Sequence, residues 1–236
     1  MVSPDSIRHP LTRALLVLTF ATGVIDAASF LGLGNVFTAN MTGNVVLLGF
    51  GISGAPGLPI LAPLVSLAAF LVGAVVGGRM ANRFPAKTNH LSRSMLVEIG
   101  VLVAAVVWTL VVDVEPGHVS AGVTIAMLAF ALGVRNATVR RVKVADLTTT
   151  VLTMTLTALA ADSPLAGGKG HGSWRRGGAV LAMLLGAVAG GLLVKAHLSA
   201  AIALAAVLAL LTWLVFVPAA AAAEESAKPS DRKAGS

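Results

Sequence analysis

The sequence predicts an all-α polytopic membrane protein with six transmembrane helices, two short re-entrant or broken helices, and an internal inverted repeat. Three observations point there. The chain of 236 residues is 56% hydrophobic and 11% charged, whereas a soluble domain carries about 25% charged residues, so lipid is the solvent that suits it. Its lysines and arginines gather in a few short connections. Three patterns of the first half also return, in order, about 110 residues further on. Gly23-Val24-Ile25-Asp26-Ala27 returns as Gly133-Val134-Arg135-Asn136-Ala137, Ala39-Asn40-Met41-Thr42 as Ala145-Asp146-Leu147-Thr148, and Gly73-Ala74-Val75-Val76-Gly77-Gly78 as Gly186-Ala187-Val188-Ala189-Gly190-Gly191.

Eight apolar segments follow one another. Ala14–Leu31 comes after Arg8 and Arg13 and reads as an uncleaved first span rather than a signal peptide. Val36–Ile52 opens on Thr38, Asn40, Thr42 and Asn44, which leaves its apolar run below the roughly 20 residues a crossing needs. Leu58–Gly78, Ser94–Val112 and Val119–Val134 are mostly apolar. Val144–Ala161 again opens on polar residues, Asp146, Thr148, Thr149 and Thr150, and Gly177–Val194 and Leu198–Val217 complete the series.

Charge decides which segments cross. If all eight did, the basic Arg79–Arg93 and Arg135–Lys143 stretches would lie outside and the acidic Asp113/Glu115 loop inside, against the positive-inside bias. If the second and sixth segments enter and leave by one face, every Lys and Arg but Lys195 is cytoplasmic, and so are both termini. Each repeat (about 12–112 and about 118–217) then holds three crossings, so the second copy is upside down relative to the first. Residues 219–236 read as a disordered cytoplasmic tail.

The net charge of +7 follows from these basic loops and calls for no nucleic-acid partner. With no cysteine there is no disulfide or thiolate metal site. The five histidines fall outside the spans or at their edges, and neither HExxH nor GxSxG occurs, so the sequence gives no metal, no cofactor and no enzyme.

The candidate site residues are the polar ones at membrane depth. Asp26 lies about 12 residues into the first span, where an ionisable group faces protein or a water-filled cavity. Asp146, Asn40 and Thr42 suit the free N–H groups of a helix starting inside the membrane. Capping alone explains them, but it still places them at an internal polar site. Asp26 matches Asn136 and Asn40 matches Asp146, so each repeat holds one acid and one amide in exchanged places. Two carboxylates brought together suit proton or cation coupling. Arg135 either pairs with Asp26 or Asp146, fixes an anionic substrate, or snorkels to the cytoplasm with Arg140, Arg141 and Lys143. Glu98 reads as an interfacial acid. Gly73/Gly77 and Gly186/Gly190 have the spacing for close helix contact, expected at the interface between the repeats, with a homo-oligomer contact as the alternative.

The stretches TGVIDAASFLGLGNVFTANMTGNVVLLGFGI (Thr22–Ile52) and GVRNATVRRVKVADLTTTVLTMTLTALAADS (Gly133–Ser163) resemble the two signature regions of the bacterial YoaK-like family of small integral membrane proteins, a domain of unknown function. The resemblance covers nearly the whole chain apart from the tail. It implies a polytopic inner-membrane protein and supplies no binding residues. The expectation for function is a secondary permease of a small solute or ion, coupled through Asp26 and Asp146, with Asn40, Thr42, Asn44, Asn136, Thr148 and Thr149 contacting substrate. A passive channel and a membrane scaffold are the rival classes.

Overall fold

In a computed structural model the described residues are 10–84, 87–142, 152–168, 170 and 172–227. They form α1 (Pro10–Gly32), α2 (Met41–Ile52), α3 (Leu61–Arg83), α4 (Lys87–Val111), α5 (Val119–Val142), α6 (Leu152–Ala161), a 3-10 turn at Pro164–Ala166, α7 (Ser173–Val194) and α8 (Leu198–Ala227). Six of these are long and apolar enough to span a membrane, whereas α2 and α6 are shorter apolar helices. The protein is a multi-pass membrane protein.

Most helices outrun their apolar segments, because a helix does not stop where lipid stops. Pro10, with its fixed φ, opens α1. Arg83 closes α3, and Arg140 and Arg141 close α5, in last turns where cations meet the negative end of the helix dipole. The tail expectation is corrected here: α8 continues past Pro218 to Ala227, since the alanine run after Pro218 is the strongest helix-forming sequence available. Residues 228–236 lie outside the described residues.

Named contacts fix the helix directions. Phe20 and Val24 of α1 lie against Gly186 and Gly190, and Gly32 against Val194, so α1 and α7 run side by side in one direction. Phe70 meets Gly133 and Gly77 meets Ala137, so α3 and α5 are also parallel to each other. Leu18, Leu91 and Met95 cluster with Val217, which sets α1 and α4 parallel and α8 opposed to both. Trp108 near the end of α4 reaches the Ser120 carbonyl at the start of α5, so these two are antiparallel. Thus α1, α4 and α7 run one way and α3, α5 and α8 the other. A crossing α2 would have left α1 and α3 parallel, so α2 returns to the face it came from. The same argument applied to α5 and α7 turns α6 back.

Small residues make the closest approaches. A methyl at Gly73 would strike the Phe130 carbonyl and one at Gly133 the Phe70 carbonyl; across the molecule, Gly186 meets the Phe20 carbonyl and Gly23 the Met183 carbonyl. The helices carrying Gly73/Gly77 and Gly186/Gly190 therefore do not meet each other. Each crosses to the other half, α3 onto α5 and α7 onto α1. This leaves α1 and α5 at the centre, with 67% and 61% of their spans buried, against 17% for α7.

Candidate functional site

Among the described residues, a dense polar junction sits where α1 gives way to α2. After α1 the chain reverses through Gly34 (φ 99°) and Asn35 (φ 56°), positions that favour glycine and asparagine. It then runs back alongside α1 as Phe37–Asn40, with the Phe37 ring stacked on Phe30 at 4.8 Å. This brings two backbone donors onto Asp26, whose Oδ1 accepts from Thr38 N at 3.0 Å and Ala39 N at 2.8 Å. The Ser29 hydroxyl donates to the Asp26 carbonyl, and the Thr38 hydroxyl donates to Ser29. Asp26, Ser29 and Thr38 are all buried. The carboxylate thus anchors a half-length helix whose entrance lies six residues, about 9 Å of helix rise, inside the end of α1.

Two amides finish the junction. Asn40 caps α2, accepting from Gly43 N at 3.1 Å. Asn44 reaches back to Phe37, accepting from its N–H at 2.9 Å and donating to its carbonyl at 2.6 Å, and also donates to Ser66 Oγ of α3 at 3.0 Å. Ser66 in turn donates to the Phe37 carbonyl at 2.7 Å. Asn44, expected to contact substrate, is instead fully buried and its amide clamps the loop to α3. Asn40 and Thr42 are exposed. Asp146, Thr148 and Thr149 lie outside the described residues, and Asn136 is half-buried on α5.

Arg135 occupies the second polar centre. It does not snorkel: it is 3% exposed, and its Nε donates to Glu98 Oε1 at 2.9 Å while Nη2 donates to the same oxygen. Its Nη1 donates to the Leu18 carbonyl and to Thr22 Oγ1, at 3.1 and 3.0 Å. One guanidinium therefore ties α5 to α4 and α1. Glu98 is not interfacial either. α4 starts at Lys87 rather than near Ser94, which carries Glu98 about 16 Å up the helix and buries it to 1% exposure. The pair is hidden in the sequence because the polar stretch before Ser94 belongs to the helix. His90, read as an edge residue, is buried for the same reason.

At the other short helix, Arg176 of α7 donates to Asp162 Oδ2 at 2.7 Å and to the Ala158 carbonyl at 3.0 Å, holding the end of α6. Between α3, α4 and α5 an apolar groove of about 650 Å³, lined by Ala69, Val72, Leu96, Val97, Gly100 and Phe130 among others, contains none of the candidate residues.

The chain is 29% identical over 149 residues to the UPF0700 transmembrane protein YoaK of Bacillus subtilis (strain 168), a match covering 63% of this chain and 65%, just under two thirds, of that relative. No solved structure matches it. Residues 14–215 match the family model described as protein of unknown function (DUF1275), which spans nearly all of the membrane domain, and the chain belongs to that family.

Proposed function

We propose that the protein is a secondary permease for a small solute, coupled to a proton or cation, in the cytoplasmic membrane, with its basic connections and both termini on the cytoplasmic side. One observation carries this reading: a buried carboxylate inside the first span holds the backbone entrance of a half-length helix. Irregular backbone at membrane depth is tolerated where it is buried in protein or lines a cavity, and such broken elements mark transporter sites. Protonating Asp26 removes the charge that holds the Thr38 and Ala39 N–H groups, so ion binding and loop release become one event. Asn40, Thr42, Asn136 and the undescribed Asp146, Thr148 and Thr149 are the residues we assign to the solute path.

The packing supports an inverted duplication. α1 lies on α7 and on α8; correspondingly, α5 lies on α3 and on α4, and α2 lies on α3 as α6 lies on α7. The triplet α1, α3, α4 runs opposite to α5, α7, α8. A second reading, a membrane scaffold with neither catalysis nor flux, is favoured by the way Asn44 and Asp26 spend their bonds inside the fold.

Proton entry into proteoliposomes, driven by a potassium diffusion potential and read by trapped pyranine, tests these readings. The permease reading expects entry above that of protein-free vesicles, falling to background in Asp26→Asn. Entry that is unchanged by the substitution means a passive channel. Folded protein with no entry at all means a scaffold.

A further inference from the structure

Thr22, on the Arg135 guanidinium, lies one turn from Asp26, and a buried polar stripe runs from that pair toward the opposite end of the bundle. His90, Ser94 and Glu98 recur every fourth residue, which stacks them on one face of α4, and they are 2%, 1% and 1% exposed. The Ser94 hydroxyl lies 3.4 Å from His90 Nδ1. His90 Nε2 is buried with no hydrogen-bond partner, an arrangement a purely structural histidine avoids. The stripe begins at the Glu98 carboxylate, held by Arg135, and His90 is its far end.

We propose that His90, Ser94 and Glu98 form a proton path from the cytoplasmic end of α4 to the Glu98–Arg135 pair, a proposal that takes its direction and purpose from the permease reading. A proton from the bath binds Nε2. The ring gives up its Nδ1 proton to Ser94, whose own hydroxyl proton passes to Glu98, across four residues of about 6 Å rise closed by one water. The net change is one O–H bond formed on Glu98 and one proton taken from the bath. Neutral Glu98 loosens its hold on Arg135, which keeps the Leu18 carbonyl and Thr22. Proton arrival thereby frees α4 from the α1–α5 pair that carries Asp26.

The groups around His90 come from α5, α4, α8 and α1. α5 presents Arg141 to His90, besides Arg135 at the stripe's end. On α4 itself Arg93 is turned onto the Phe84 ring, 3.9 Å from its centroid. α8 meets this end of α4 with Val217 and with Trp213, whose Nε1 donates to Ser92 at 2.8 Å, and α1 contributes Leu18. Glu98 is the one carboxylate among these described groups.

Nitrogen-15 spectra of histidine-labelled full-length protein in nanodiscs, between about pH 5 and 8, test the path without any substrate. The resonance missing from His90→Gln is expected to titrate, and its midpoint to move in Glu98→Gln. A His90 ring that keeps one form across the range, or titrates with the same midpoint in Glu98→Gln, overturns the path. Ser94→Ala removes a hydroxyl but no ion-pair partner, so it keeps the fold even where Glu98→Gln does not. Its expected effect is slower proton entry into proteoliposomes, and entry at the wild-type rate overturns the path. A titrating, Glu98-coupled His90 in protein that passes no protons sinks the permease reading and leaves the protonation site standing.

Discussion

α1 and α5 occupy matching places and do opposite things with them. Each is a central helix gripped through one glycine, Gly23 against Met183 and Gly133 against Phe70. Two residues beyond the glycine, α1 has Ile25, buried in the main apolar cluster, and α5 has Arg135, buried in an ion pair. One further on, α1 has Asp26, which holds its own loop, and α5 has Asn136. The comparison teaches that the shared architecture is carried by small residues and backbone approach. Side chains outside those contacts are free to diverge, and each half carries its own buried charge, Asp26 on α1 and Arg135 on α5.

Giving α5 the residue of α1 breaks the comparison hardest. Arg135→Ile leaves Glu98 buried and unpaired, and removing one partner of a buried pair costs about 3–5 kcal/mol. Arg135→Ile with Glu98→Leu removes both charges and is expected to recover most of that loss, since apolar replacement of a buried pair is often neutral. Unfolding in mixed micelles measures both. A single substitution costing under about 1 kcal/mol, the value of an exposed pair, would place Arg135 at the surface after all.

The glycine contacts sharpen the comparison next. Gly23→Ala and Gly133→Ala each push a methyl into a facing carbonyl oxygen, and overpacking of this kind costs about 1–3 kcal/mol. The two losses are expected to match, as are those of Gly73→Ala and Gly186→Ala. Gly78→Ala, with open space around it, is the control and leaves the unfolding midpoint unlowered. Unequal losses within a matched pair would mean that the halves differ in packing and not only in chemistry.

How much of this was readable in advance follows from the same division. Apolar length gives the six spans, and the basic loops turn α2 and α6 back, because lipid constrains both directly. Gly73 and Gly186 were legible as contact residues, but their partners were not, since spacing on one helix says nothing about which helix faces it. Asp26 stood out as a charge at depth. Glu98 and His90 did not, because the polar opening of α4 resembles a loop until the helix start at Lys87 is known. The repeat of that helix face every fourth residue, His90, Ser94, Glu98, was the missed signal. Asn44 was legible as polar and misread in role. Only the reversed loop shows that its amide meets Phe37 and Ser66.

The smallest effects come from the residues at the mouth of α2, and they decide what that mouth is for. Asn40→Ala removes a cap, worth about 1 kcal/mol, and its loss is expected as faster hydrogen exchange of the α2 amides, Gly43 first. Thr42→Ala, at an exposed position, is expected to change stability by less than about 0.5 kcal/mol. That neutrality makes it the cleaner probe. If Thr42 contacts solute, its substitution slows flux while the α2 amides exchange as before. If it does not, flux and exchange both stay at the wild-type level and the solute path excludes Thr42. Asn40→Ala cannot separate these cases, because loosening the cap and removing a contact both alter flux.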